Sequence, residues 1–490
     1  MRRRRCVIFP PSRALAALRE VVGTGGATSE TADIGNPGTD GTFGRVRVIS
    51  FARLEVVVGR NHPSALAIVA MSIAALSACS SEDRPKTARS TTTSTIPARP
   101  GADGSLAVGQ LAPFTGPIST IAESFTAPVK LAVDQINFSG GVNGHPVTLT
   151  AADDESAVAP AEEALRKLVD VNRVDAVVGP STSQLAMDLM DQARKAPVVM
   201  CSGSNTYGPI TGAAARSGMY FRTAPPDRLQ ADALAQLVVA GGHRRPVVIA
   251  APRDTYTMPL ANATVKAFHA RRIPAAALVT FSTGADPTAA VRRALQRNPD
   301  AVVLVGFPEP TAPVIRALVA AGKGPQQLPT YGSDGLQSGD LAALVDPANP
   351  AGVAGILGTT PAGAPTGIDH PFNAALFSVG VEPFFSATTY DCTILVALAA
   401  AAAHSDDPKK ISEHFADNLS GKVDCSTYPD CLKALRQHRT IHYRGASSRF
   451  ERWQRFEPGS GIFDIWLLGP EGRPGLGPPS AQISVSSTTR

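Results

Sequence analysis

Leu106-Ala-Val-Gly-Gln-Leu-Ala112, Val147-Thr-Leu-Thr-Ala151, Ala176-Val-Val178 and Val198-Val-Met200 recur along one stretch of chain as short apolar runs. They break off, in turn, at Pro113-Phe-Thr-Gly-Pro117, Asp153-Asp154, Gly179-Pro-Ser-Thr-Ser183 and Cys201-Ser-Gly-Ser-Asn205. Helical periods lie between them. Val129, Val133 and Ile136 share one helix face, and that pattern stops at Gly140-Gly141, where a left-handed cap has little steric cost. Pro160 to Val169 reads as a second helix, and Gly179 to Ser183 opens a third. Apolar strands alternating with helices favour a parallel sheet covered on both faces.

Working outward, Phe221-Arg-Thr-Ala-Pro-Pro226 interrupts the rhythm with two prolines and reads as a crossover. The rhythm then restarts. Val247 to Ala250, Ala276 to Phe281, Ala301 to Val305 and Gln327 to Tyr331 read as strands. Leu260 to His269, Pro287 to Gln296 and Thr311 to Ala321 read as the helices between them. Two successive doubly wound halves predict an α/β protein of two lobes, with ligands at the carboxyl ends of the strands.

The chain has 490 residues, 46 Lys+Arg and 41 Asp+Glu, for a net charge of +5. Ten Arg and five acids fall within residues 1–60, so the body from 61 onward is neutral. A neutral body excludes a nucleic-acid partner, which demands a cationic face. An apolar share of 43% with 18% charged residues excludes wholesale disorder. No Gly-x-Ser-x-Gly elbow, phosphate loop or His-Glu-x-x-His helix is present. His438 and His442 stand four apart without a third ligand nearby, so no metal is expected.

Residues 1–58 show no hydrophobic period and are expected to be unstructured or a misassigned extension. Arg60 then precedes the apolar run Ala65 to Leu76, which ends in Ser77-Ala78-Cys79. A positive flank, a short apolar core and small residues before the cut predict a secretory signal over 59–78. Leu76-Ser-Ala-Cys79 looks like a bacterial lipobox, with Cys79 lipidated and anchoring the protein to the outer face of the membrane. A transmembrane helix retaining Cys79 is the alternative, although the run falls short of the ~20 residues a span needs. Residues 79–104, rich in Ser, Thr and Pro, read as a flexible tether.

From Ser105 to about Leu468 the chain resembles the extracytoplasmic solute-binding proteins of ABC importers, in the branch that binds leucine, isoleucine and valine. Asn137-x-x-Gly140-Gly141-x-x-Gly144 is the most specific carrier of the resemblance. Ala112-Pro-Phe-Thr-Gly116, Ala152-Asp-Asp154, Val178-Gly-Pro180, the 202–205 loop, Tyr220-Phe-Arg-Thr223 with Asp227, and Tyr390-Asp391 occur in the matching order. The resemblance implies the type I periplasmic binding protein fold, two Rossmann-like lobes joined by three crossovers. It divides the chain into 105–224 plus 354–450 and 225–353 plus 451–470, with a loose tail over 471–490.

It also implies a site. Ser183 at a helix start and Ser202 and Ser204 on the next loop would receive a ligand carboxylate, Ser replacing the family's Thr. Capping of helices is the other reading of Ser183 and Ser204. Asp334 would pair with a ligand ammonium, Tyr256 would close over the ligand, and Phe307 stands where the family has Tyr. Binding by lobe closure needs no cofactor. The implied partners are a small molecule, most simply an amino acid, and a permease with its ATPase. A sensory module reporting to a signalling partner is the rival reading, and the ligand could equally be an amide, urea or an aromatic acid. Cys425 and Cys431 have a spacing that closes a small loop in an oxidising compartment. Cys201 and Cys392, among apolar neighbours, are expected to be free and buried.

Overall fold

The structure, a computed structural model, describes residues 103–251, 256–363, 370–378, 384–476 and 482–487. The expectations for residues 1–102, Cys79 included, lie outside the described residues.

Strands β1 (Ala107–Ala112), β2 (Thr148–Asp153), β3 (Ala176–Val178), β4 (Val199–Ser202) and β5 (Tyr220–Arg222) form a sheet in the order β2-β1-β3-β4-β5. All its pairings are parallel. Helices α1 (Ala122–Phe138), α2 (Val158–Asp170), α3 (Ser183–Lys195) and α4 (Ile210–Ser217) connect the strands. The face read from Val129, Val133 and Ile136 is the buried face of α1.

A second lobe repeats the plan. Helix α5 (Asp227–Ala240) leads into β6 (Pro246–Ala250), followed by α6 (Thr257–Ala270), β7 (Ala277–Thr280), α7 (Thr288–Leu295) and β8 (Ala301–Val305). Helix α8 (Pro308–Ala320), β9 (Thr330–Gly332), α9 (Leu341–Val345) and β10 (Leu357–Pro361) complete it. The order β7-β6-β8-β9-β10 matches that of the first sheet, strand for strand. Val247, Ile249, Val302 and Leu304 enter one core, while their neighbours Val248, Ala250, Val303 and Val305 enter the other. That alternation buries both faces, which is why these strands read as unbroken apolar runs.

The chain then returns to the first lobe through α10 (Pro371–Ser378) and α11 (Ser386–Ala402). Nearly every residue of α11 is buried. Helix α12 (Pro408–His414), β11 (Val423–Cys425), α13 (Tyr428–Arg436), β12 (Ile441–Tyr443) and the pair β13 (Trp453–Gln454) and β14 (Glu457–Pro458) follow. Crossing back, β15 (Ser460–Leu468) pairs antiparallel with β10 and is flanked by β16 (Pro474–Leu476) and β17 (Gln482–Ser486). Three crossovers therefore join the lobes, after Arg222, after Pro361 and after Pro458.

Three boundaries differ from expectation. Residues 354–361 belong to the second lobe, because β10 adds to its sheet beside β9. Residues 451–458 belong with the first, since Trp453 and Phe456 pack on its core and the Phe456 carbonyl accepts from the Arg222 amide at 3.0 Å. Within the expected loose tail, residues 474–476 and 482–486 are strands instead, for β16 and β17 take up hydrogen bonds along β15. Among the described residues no helix is long and apolar enough to cross a membrane.

Candidate functional site

Both sheets reverse direction between their first and third strands, and such a switch point opens a crevice at the carboxyl ends. In the first lobe a small pocket lies there, lined by Gln110 to Ala112, Val178 to Ser181, Ser202 to Ser204, Phe125 and Thr389. Two glycines let its walls approach. A Cβ on Gly179, whose φ is +124°, would lie 2.2 Å from the Leu111 carbonyl oxygen. One on Gly203 would lie 2.4 Å from the Thr389 backbone nitrogen.

The three serines do different things. Ser202 Oγ donates to the Pro180 carbonyl at 2.9 Å and accepts from the Ser204 amide at 3.2 Å. Ser204 Oγ donates to the Ser181 carbonyl at 2.7 Å. A hydroxyl has one proton, so both are spent tying the loop after β4 to the loop after β3. Ser183 Oγ instead accepts, from the Tyr207 amide at 3.3 Å. Its own proton has no recorded acceptor among the described residues. The cap of α3 is Thr182, which accepts from the Leu185 amide at 3.4 Å. Of the three, Ser183 is the one with a proton to offer an anion.

In the second lobe Asp334 follows β9 and is buried. The Tyr256 hydroxyl and Gln230 Nε2 (2.7 Å) both donate to its Oδ1, leaving Oδ2 without a recorded side-chain donor among the described residues. Tyr256 Oη also accepts from the Gly335 amide at 3.0 Å and packs on Phe307, ring centroids 5.0 Å apart. Phe307 is 42% exposed, an uncommon position for a large apolar ring and a suitable one for covering a ligand. Asp334, Tyr256 and Phe307 are thus brought together.

Gln230 and Asp227 are residues that sequence reasoning missed as site members. Their spacing of three at the start of α5 puts them on one face, which is the signal that could have found them. Gln230 holds Asp334 and also donates to the Thr359 carbonyl at 3.0 Å. The Asp227 amide donates to the Thr206 carbonyl at 2.8 Å, anchoring α5 to the first-lobe loop.

Burial pushes the Asp334 carboxyl above the ordinary carboxylate range, against the Tyr256 and Gln230 hydrogen bonds. Burial also pushes Asp227 up, to about 7, with Thr206 opposing and the nearby Asp334 charge reinforcing the rise. The folded state therefore holds the Asp227 proton that an unfolded chain releases near pH 4. Its contribution to stability is complete below that pH and is lost as pH rises towards 7. Asp227→Asn should match the wild type near pH 4 and exceed it by a few kcal/mol at pH 8, as read by calorimetric unfolding without ligand.

The four described cysteines form two bridges. Cys425–Cys431 has S–S 2.07 Å and Cα–Cα 5.2 Å. Cys201–Cys392, with Cα–Cα 5.7 Å, corrects the expectation of free thiols. The cause is tertiary: α11 packs across the end of β4, bringing together residues 191 apart in sequence. The bridge fastens the first-lobe loop at its root, one residue before Ser202. Among the described residues no group of three or more metal-ligating side chains occurs.

Comparison with known proteins agrees with this architecture. A chemotactic signal transduction system substrate-binding protein of Halobacterium salinarum is 26% identical over 368 residues, covering 72% of this chain and 85% of that protein. An amino acid binding protein of Pseudomonas aeruginosa is 26% identical over 329 residues, 65% of this chain and 85% of that one. The leucine binding protein LivK of Thermotoga maritima superposes with a TM-score of 0.61 at 20% identity, covering 76% of this chain and 98% of that one. LivJ of Streptococcus pneumoniae, solved with isoleucine, gives 0.59 at 21%, covering 78% and 100%. Residues 105–447, which span the first sheet, β6 to β10 of the second and the pocket between β1 and β3, match the periplasmic binding protein family. The chain belongs to the periplasmic binding protein family, and its fold is the type I fold of that family.

Proposed function

We propose that this protein captures an α-amino acid, of the branched-chain type, between its lobes and delivers it to a membrane permease driven by an ATPase. The observation that carries the reading is the placement of complementary groups on the two lobes. Ser183 offers a hydroxyl proton at the start of α3. Asp334 offers a buried carboxylate oxygen. An anion site and a cation site held by separate lobes fit a zwitterion, and the exposed ring of Phe307 fits an apolar side chain. Relatives named as Leu/Ile/Val-binding proteins support the ligand class. Thermal-shift screening tests it: branched-chain amino acids should raise the melting temperature, and amides, urea and aromatic acids should not.

The likeness to a chemotactic signal-transduction binding protein favours a second reading, in which closure is reported to a signalling partner. Genes for a permease and an ATPase beside this one support transport, and a kinase or cyclase gene supports sensing.

The family is extracytoplasmic, and two disulfides among the described residues suit an oxidising compartment. The anchor in this reading is a lipid on Cys79, at the end of the apolar run Ala65 to Leu76. Cys79→Ala should move the protein from the membrane to the soluble fraction. Retention of the variant on the membrane would identify a transmembrane helix instead.

A further inference from the structure

Arg222 closes β5 immediately before the first crossover, and its side chain is only 1% exposed. A guanidinium buried so deeply needs a counter-charge and partners for its donors. Glu457, equally buried, accepts from its Nε at 3.0 Å and Nη2 at 2.5 Å through Oε2. The other oxygen of Glu457 accepts from Arg228 Nη1 at 2.8 Å. Arg228 lies just beyond the first crossover, and Glu457 just before the third. One buried carboxylate thus clamps two of the three strands that join the lobes.

The same guanidinium reaches the site. Arg222 Nη1 donates to the carbonyls of Asn205 at 3.0 Å and Tyr207 at 2.9 Å. The Tyr207 amide in turn donates to Ser183 Oγ, and Asn205 Nδ2 donates to the Ser181 carbonyl at 3.0 Å. The 205–207 loop is therefore gripped from the hinge by Arg222 and holds Ser181 and Ser183 on its other side.

We propose that Arg222, clamped by Glu457 and Arg228, is a positioning residue that sets the 205–207 loop, and through it the Ser183 hydroxyl, from the hinge. Its consequence for affinity rests on Ser183 being a ligand contact. The setting of the loop does not, and a measurement without ligand separates the two.

That measurement is hydrogen exchange of the ligand-free secreted chain. In Glu457→Gln the peptide covering 203–211 should exchange roughly tenfold faster or more, while peptides from β1 and β2 keep their protection. Removing an anion from between two arginines endangers folding, so Arg228→Gln is made in parallel. Arg228 is 36% exposed and its loss cuts only the α5 arm. It should speed exchange of the same peptide about threefold or more, with protection elsewhere retained. With L-leucine as probe, both variants should bind at least about threefold more weakly, and Glu457→Gln should cost less in a Ser183→Ala background than in the wild type. Unchanged exchange over 203–211 in Arg228→Gln, or protection lost evenly through both lobes, would overturn the proposal. A wild-type chain that ignores L-leucine would instead contradict the branched-chain ligand, and the exchange result would still decide the clamp.

Discussion

Asp334→Ala is expected to weaken amino-acid binding by roughly 3–5 kcal/mol, which is about 10²- to 10⁴-fold in affinity. In the proposed closed cleft a ligand ammonium would lose its water, and alanine would leave it without a counter-charge. The structure also alters what the variant does to the empty protein. Asp334 is a buried acceptor, so alanine removes one hydrogen bond from the Tyr256 hydroxyl and one from the Gln230 amide, which keeps its bond to the Thr359 carbonyl. Each lost hydrogen bond costs about 1–3 kcal/mol, offset by removal of a carboxylate that burial already disfavours. Asp334→Asn separates the effects, because it keeps an oxygen for both donors while removing the charge and turning the second oxygen into an amide donor. Titration calorimetry should find both variants severely weakened and the asparagine form close to wild type in melting temperature. Ser183→Ala should cost less, of the order of 1–3 kcal/mol, since helix amides still face the carboxylate.

The second large effect concerns stability. Cys201 and Cys392 are 191 residues apart, and a bridge closing so long a loop contributes roughly 5 kcal/mol in the chain-entropy model. The Cys425–Cys431 bridge spans a separation of six and contributes roughly 2–3 kcal/mol. Cys201→Ala with Cys392→Ala should therefore destabilise the first lobe about twice as much as the corresponding change at 425 and 431. Denaturant titration of the two double variants measures the ratio. Non-reducing peptide mapping that finds Cys201 and Cys392 both alkylated would remove the bridge and the prediction together.

The parts of the fold that were legible share one cause. Strands β1, β3, β4, β6, β8 and β9 are buried on both faces and bounded by glycines, prolines and acids, so the apolar runs stand out. Helix α11 carries no polar stripe because it is buried all round, and no period announces it. Strands β16 and β17 hide among residues of turn composition, and what makes them strands is the open edge of β15. The site divides in the same way. The family resemblance marked Ser183 and Asp334, one at a helix start and one just after a strand. Which serine keeps its proton depends on Tyr207, Pro180 and Ser181, contacts set by folding. Arg222 and Glu457 are 235 residues apart, and only the crossovers bring them together.

The central claim is that one ligand is held at both ends, its carboxylate by the first lobe and its ammonium by Asp334. Calorimetric titration of the protein with L-leucine, L-isoleucine and L-valine, each beside its N-acetyl form, tests that claim most directly. The account predicts micromolar or tighter binding of at least one free amino acid and a loss of about 100-fold or more on acetylation, which removes the charge and adds bulk where Asp334 sits. An N-acetyl amino acid, or a carboxylic acid without an amine, that binds as tightly as the best free amino acid would contradict it.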